Sequence, residues 1–433
     1  MAVFHTLFLL LSLFATLATV TSLERPSSLA VTRPQDLRRK HPLVGGGAAG
    51  AGNVGHRTAP NLKVYNHQIV DTSTGKPYIM LGVSQSGPEY ACIKMSVPMG
   101  GADTMPMSAS TIYMLKNKWG VNTVRIPMNE ACLLDLDNGP PQARGDAYLN
   151  YIATYVDMLI ANGITPILDL HWTVGKASDT STTDQQDFAN VGHSLEFWKR
   201  VAKRFVNYRN VVFELFNEPK PKASVKMWWC LQYGWNAKFC DYNPGYQVAG
   251  MQDMINVVRS MKFKGLLLCA GLDFANDIRD WAKYKLKDDK ENNLAISVHV
   301  YDFKEICKGV ECIKDILVPI ARFHPIVTTE LGSSSTNPTY LYNFMYDFMK
   351  QAYEANIGTI GWSLNHRRPG DPQLLDNTQG KPSPAGYGLI DFIKYARGLK
   401  VTSTHRGGSH RALTAPVSSP LNKGVNNVEE LQQ

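Results

Sequence analysis

The chain has 433 residues, 44% hydrophobic and 19% charged, which is the balance of a globular protein able to bury a large core. Its formal charge of +8 comes from scattered basic residues with small clusters at Arg38-Arg39-Lys40 and Arg367-Arg368. Without a basic stripe interleaved with aromatics, the charge argues against nucleic-acid binding and supports only a mild attraction to acidic surfaces.

The first 22 residues are apolar from Phe4 to Val20 and end in the small pair Thr21-Ser22, the pattern of a secretory signal peptide. No Lys or Arg precedes the apolar run, so a retained anchor is the rival reading; no other stretch is long and apolar enough to span a bilayer. Residues 23–60 are rich in Pro, Ser, Gly and basic residues and read as a flexible leader. Residues 62–70, followed by turn residues 71–75, suggest a hairpin capping one end of a barrel. From there strands and helices alternate. Strands are expected at 79–83, 122–127, 165–171, 211–217, 265–270, 294–299, 325–330 and 358–362. Helices are expected at 110–119, closed by Gly120, and at 148–162, 193–208, 246–261, 273–284, 313–322, 340–356 and 391–397. Eight such units imply a parallel sheet closed into a (β/α)8 TIM barrel over residues 61–397. An open doubly wound sheet would normally carry a Gly-rich phosphate loop after an early strand, and none is present. Residues 398–433 read as a disordered tail.

The seven cysteines suit an oxidising compartment. The spacings of Cys230 with Cys240 and of Cys307 with Cys312 suit short staples, and Cys92 and Cys132 both follow strand ends where neighbouring loops meet. Spacing alone leaves the connectivity open. Cys269 lies in an apolar strand as a buried thiol. With no CxxC pair and no HExxH helix, no metal site is expected. There is no Asn-x-Ser/Thr sequon.

In a parallel barrel the residues that close each strand converge on one site. Here they are Arg125, His171 and Trp172, Asn217 and Glu218, His299 and Tyr301, Glu330, and Trp362. Taken singly these are ordinary: a Glu before Pro is usually a solvated loop residue, and a Trp after a strand is usually core. Together they supply the parts of one reaction. Two carboxyl groups without a metal cluster or cofactor motif point to glycosidic bond hydrolysis, one acting as acid and one as nucleophile. Arg125 and Tyr301 supply a charge and a hydroxyl that favour ionised Glu330. Burial and the second carboxylate favour protonated Glu218. Asn217 suits a sugar 2-hydroxyl, and Trp172 and Trp362 suit sugar faces. Trp228, Trp229, Tyr233 and Trp235 follow the fourth strand and either line sugar subsites or pack around a 230–240 staple.

The ordered set Arg125-Ile-Pro, Leu170-His-Trp172, Phe216-Asn-Glu-Pro219, His299-Val-Tyr301, Thr329-Glu-Leu-Gly332 and Gly361-Trp362 resembles the strand-end motifs of glycoside hydrolase family 5, the cellulase family, from about residue 62 to 397. The resemblance implies a barrel of retaining hydrolases, with Glu218 as acid/base and Glu330 as nucleophile about 5–5.5 Å apart. Ser86-Gly-Pro-Glu-Tyr-Ala-Cys92, Met128-Asn-Glu-Ala-Cys132 and Val248-Ala-Gly-Met-Gln252 are similar to loops of a secreted subset, whose paired cysteines imply bridges 92–132, 230–240 and 307–312. Leu133 departs from that subset, which often has Trp there, and the Met-rich run 95–107 matches nothing assignable. The expectation is a secreted, monomeric endo-β-1,4-glucanase that needs no cofactor. Mannan or β-1,3-glucan hydrolysis and transglycosylation are alternatives on the same barrel; a non-catalytic sugar-binding or elicitor protein is an alternative of another class.

Overall fold

The computed structural model describes residues 58–101, 103–176 and 178–399. The expected signal peptide, nearly all of the leader and nearly all of the tail lie outside the described residues. The described chain opens with an antiparallel hairpin, β1 (Leu62–Tyr65) and β2 (Gln68–Asp71). Its turn is at Asn66 and His67, with Asn66 at φ 55°, and not at 71–75 as expected; the latter residues form a second turn that brings Pro77 back to Val70. Asn tolerates the left-handed region, which makes it the natural turn residue here.

Eight parallel strands then close into the expected barrel: β3 (Leu81–Ser84), β4 (Thr123–Asn129), β5 (Thr165–Trp172), β6 (Val212–Glu214), β7 (Leu267–Ala270), β8 (Leu294–Tyr301), β9 (Ile326–Gly332) and β10 (Gly358–Gly361), with β10 paired to β3. Two apolar layers hold it. The larger lies between the strands and the surrounding helices. The smaller fills the barrel's lower end, where Leu62, Val64 and Ile69 of the hairpin meet Ile167, Val212, Leu268 and Val327 of the strands. Gly82 sits where a Cβ would lie 1.9 Å from the Thr123 carbonyl oxygen, so only glycine lets β3 and β4 approach.

Several helices depart from expectation for local reasons. The segment 273–284 holds only a short turn at Leu272–Ala275 and a 3-10 turn at Trp281–Lys283. Asp273 and Phe274 are left-handed, and their N–H groups donate to the carbonyls of Pro221 and Pro219 instead of extending a helix. Residues 246–249 are extended and bridge to residues 189–191, so the helix expected from 246 runs Met251–Ser260. The last helix is Pro384–Ala396, longer than 391–397, because the Ser383 hydroxyl caps its start by accepting from Gly386 N–H at 3.1 Å. A helix at Val225–Tyr233 occupies a stretch read as loop. Its Trp228 is fully buried against Tyr284, and Trp229 packs on Tyr233, Phe239 and Tyr284. Trp228 is therefore closed to a ligand, while Trp229 and Tyr233 are half-buried and Trp235 is exposed.

All three expected disulfides form, and Cys269 is a buried free thiol. They span 40, 10 and 5 residues for 92–132, 230–240 and 307–312. Loop-closure entropy then ranks their stabilisation at about 4, 3 and 2 kcal/mol. Paired Cys→Ser variants should lose thermal stability in that order in calorimetry.

Two residues before Cys132 lies a buried acid that anchors the loop after β5. Glu130 is fully enclosed, its carboxylate accepting from Val174 N–H (2.9 Å), Asn190 Nδ2 (3.1 Å) and Ser194 Oγ (2.6 Å). Burial outweighs these donors and raises its pKa from 4.5 to about 7. A raised carboxyl pKa favours the folded state below 4.5, and that advantage is lost as pH rises through 7. Glu130→Gln removes the dependence. In urea titrations its stability relative to the parent should improve from pH 4.5 to 7.5, by on the order of 3 kcal/mol.

Candidate active site

The upper mouth of the barrel is built around Arg125 on β4. Its side chain is fully buried and every arm is used. Nε donates to Glu214 Oε2 at 2.6 Å, one terminal nitrogen to Glu330 Oε1 at 2.8 Å, and the other to Asn217 Oδ1 at 2.7 Å with Asp169 Oδ2 at 2.9 Å. A guanidinium is the side chain that can serve four acceptors in one plane. Asp169 and Glu214 escaped the sequence reading; the signal available was an acid inside an otherwise apolar strand, in Ile167-Leu-Asp-Leu and Val212-Phe-Glu-Leu.

Burial opposes ionisation of Glu214, but Arg125 and His299 outweigh it and hold its pKa at about 2. At Asp169 burial prevails over the pull of Arg125, and the pKa lies well above the ordinary carboxyl range. Asp169 Oδ2 is 2.7 Å from His171 Nδ1, and burial lowers the His171 pKa. The imidazole of His171 lies flat against Trp362, with ring centroids 5.3 Å apart and planes at 3°. The half-buried Trp362 also lies 5.8 Å from the Arg125 guanidinium carbon. Trp172 sits further out, beside Tyr90 at 6.3 Å and under the Lys94 ammonium at 5.2 Å.

Glu330 ends up opposite Glu218. The ladder between β8 and β9 shifts register at Val298 and His299, which pairs His299 directly with Glu330. Such irregularities re-aim side chains at barrel rims. Tyr301 Oη donates to Glu330 Oε2 at 2.5 Å, and the buried phenol is pushed far above its ordinary pKa by burial and the Glu330 charge. His299 Nδ1 lies 3.0 Å from Glu218 Oε1 and 3.4 Å from Glu330 Oε2, and its Nε2 is 3.8 Å from Glu214 Oε1. Burial would lower the His299 pKa, yet this ring of acids raises it to about 9. Oxygens of Glu218 and Glu330 approach within 4.8 Å of each other, with the His299 nitrogen inside the same limit. That convergence has ligand geometry, but Arg125 and Tyr301 already donate to Glu330, and a fixed guanidinium beside it repels a cation.

One expectation changes. Burial does push Glu218 towards protonation, but the hydrogen bond and charge of His299 outweigh it, so the carboxyl lies below its ordinary range in the free protein. The proton of the pair resides on His299. All nine residues expected at the strand ends come to this mouth. Gln185, from the long loop after β5, joins them without any sequence signal: its amide bonds both Asn217 and the Glu218 backbone.

Among the described residues no helix is long and apolar enough to cross a membrane. The model for cellulase (glycosyl hydrolase family 5) matches residues 83–368. The chain is 22% identical over 276 residues to a β-mannanase/endoglucanase A of Caldicellulosiruptor saccharolyticus, a match covering 62% of this chain and 18% of that protein. It is 21% identical over 351 residues to endoglucanase A of Butyrivibrio fibrisolvens, covering 77% of this chain and 68% of that one. The chain thus spans less than a fifth of the Caldicellulosiruptor protein. A β-glucanase of Saccharophagus degradans, solved in complex with cellotetraose, shares the fold with a TM-score of 0.57 at 19% identity, covering 78% of this chain and 94% of that one. With eight closed parallel strands and a family match across most of the barrel, this chain belongs to the cellulase family, glycosyl hydrolase family 5.

Proposed function

We propose that the protein is a secreted retaining β-glycan hydrolase acting endo on β-1,4-glucan, with Glu218 as acid/base and Glu330 as nucleophile. The observation that carries this reading is the approach of the two carboxyl groups to within 4.8 Å. Such a gap suits direct attack on the anomeric carbon and leaves no room for the intervening water of an inverting enzyme. In the first step a Glu330 oxygen bonds to the anomeric carbon as the glycosidic C–O bond breaks and Glu218 gives its proton to the departing oxygen. In the second, Glu218 takes a proton from water, the water oxygen attacks the same carbon, and Glu330 leaves. Two inversions give retention.

His299 supplies the proton that the first step needs. A bound sugar displaces water from the mouth, and the loss of solvation disfavours the charged His299–Glu218 pair relative to its neutral form. The proton then moves across the 3.0 Å hydrogen bond to Glu218. Arg125 and Tyr301 hold the two oxygens of Glu330 in place throughout. Asn217 is fixed through its carbonyl to Arg125 and through one N–H to Gln185, which leaves a second N–H for a sugar hydroxyl. The choice of glucan is supported by the endoglucanase names of the relatives, and mannan by one of them. The three disulfides support an oxidising, extracellular setting.

Glu330→Gln should lower hydrolysis of every substrate by at least about 10³-fold. Glu218→Ala should lose a similar factor on glucan yet keep kcat/KM within about tenfold on an aryl glycoside whose leaving group needs no proton. Equal losses on both substrates would overturn the acid/base role. Proton NMR of the first product should show the β-anomer; an α-anomer excludes the retaining mechanism. A product survey on β-1,4-glucan, mixed-linkage glucan, β-1,3-glucan and mannan should give cello-oligosaccharides of several lengths. Monosaccharide release alone excludes endo action, and transfer products in place of reducing sugars would identify a transglycosylase.

A further inference from the structure

The acid/base sits on backbone that the barrel does not hold. Strand β6 pairs with β7 only through Phe213 and Glu214, and the last ladder-type bonds are Leu215 N–H to Leu268 O and Asn217 N–H to Leu170 O. Glu218 comes after that, and Pro219 has no N–H with which to anchor the turn. The missing support comes from one side chain. Gln185 is 4% exposed, and its Oε1 accepts from Asn217 Nδ2 at 2.7 Å and from Glu218 N–H at 3.2 Å. Its Nε2 donates to the Glu218 carbonyl. One amide therefore satisfies both backbone groups of Glu218 and orients its neighbour.

The loop that carries Gln185 is itself anchored. Glu130 binds it near both ends, at Val174 and Asn190. Gln186 N–H donates to Thr173 Oγ1 at 3.1 Å, and Lys220 N–H donates to the Asp187 carbonyl at 3.2 Å. Tyr246 Oη both accepts from Phe188 N–H and donates to its carbonyl. A side chain on such a frame can fix a carboxyl to the few tenths of an ångström that proton transfer demands.

We propose that Gln185 is the positioning residue of the acid/base: its amide clamps Asn217 and the Glu218 backbone so that the Glu218 carboxyl meets His299 and the leaving oxygen. The proposal rests on the reading of Glu218 as acid/base. A neutral amide is required because the site needs an acceptor and a donor at once. A carboxylate keeps the two acceptor bonds, loses the donor to the Glu218 carbonyl, and adds a charge beside the acid.

The test uses Gln185→Ala and Gln185→Glu in the full chain. It measures kcat/KM on cellotetraose and on 2,4-dinitrophenyl β-cellobioside, together with the 13C NMR titration of the Glu218 carboxyl, assigned by its loss in Glu218→Gln. In Gln185→Ala, kcat/KM on cellotetraose should fall about 10–100-fold, while the dinitrophenyl substrate, which needs no acid in glycosylation and feels only the loosened Asn217, should fall several-fold less. The Glu218 titration should move up towards ordinary values as the bond to His299 loosens. In Gln185→Glu it should move up further, and the alkaline limb of the pH profile, which follows loss of the His299 proton, should move up as well because the added charge also favours the imidazolium. Equal losses on both substrates, or an unmoved Glu218 titration in a folded variant, overturn the positioning role. The titration holds its meaning even if cellotetraose is not cleaved. If Glu218→Ala itself shows no dependence on leaving group, the acid/base reading fails and the two failures are told apart.

Discussion

A single buried guanidinium governs the mouth of this barrel. Arg125 lies at the centre of Asp169, Glu214, Glu330 and Asn217, with no exposed surface of its own. Burying a charge is costly unless it is paired and fully hydrogen-bonded, and here each arm has an acceptor. The arrangement ties four strands, β4, β5, β6 and β9, to one point. It also overfills the site with acid: with Asp169 held towards its neutral form by burial, three further carboxyl groups, Glu214, Glu218 and Glu330, surround His299 beside one permanent cation. The surplus is what makes His299 a second cation, with its pKa raised to about 9. The protonation of the candidate catalytic pair is thus a consequence of the acids around His299: Glu214 and Glu330, which Arg125 holds, and Glu218 itself.

The barrel strands position the nucleophile side well and the acid side poorly. Glu330 lies within β9, a seven-residue strand paired on both edges, and receives Arg125 and Tyr301 directly. Glu218 lies beyond the three-residue β6 and depends on the loop after β5. That loop depends in turn on the buried Glu130, next to the Cys92–Cys132 bridge. Long βα loops are where barrels acquire their chemistry, and in this chain one of them also completes the backbone support of a neighbouring strand end.

Much of this was legible from residue order, because strand-end motifs are local. Ile326-Val-Thr-Thr-Glu330 declares both a strand and its acid; Val211-Val-Phe-Glu-Leu-Phe-Asn-Glu-Pro219 declares a strand and an acid too, but the strand expected over 211–217 is only Val212–Glu214 and Glu218 lies beyond it. Errors fell where a tertiary partner replaced the local preference. Residues 273–284 have helical spacing, but Asp273 and Phe274 bond to the carbonyls of Pro221 and Pro219. The stretch after the fourth strand reads as loop but forms the helix Val225–Tyr233, and of the two alternatives for its aromatics Trp228 takes packing, stacked on Tyr284. Glu218 was expected to be protonated by burial, and the opposing influence is His299, which lies 81 positions away.

The sequence by itself determined the eightfold alternation, the residues that close each strand, and through them the family. Period and strand-end chemistry are written in neighbouring residues, and parallel pairing brings every strand end to one rim. Only the tertiary structure decided which groups share a proton, how closely the two acids approach, and that Gln185 holds the end of β6. Those depend on distances between segments joined by long loops, and no spacing along the chain encodes a distance across the barrel.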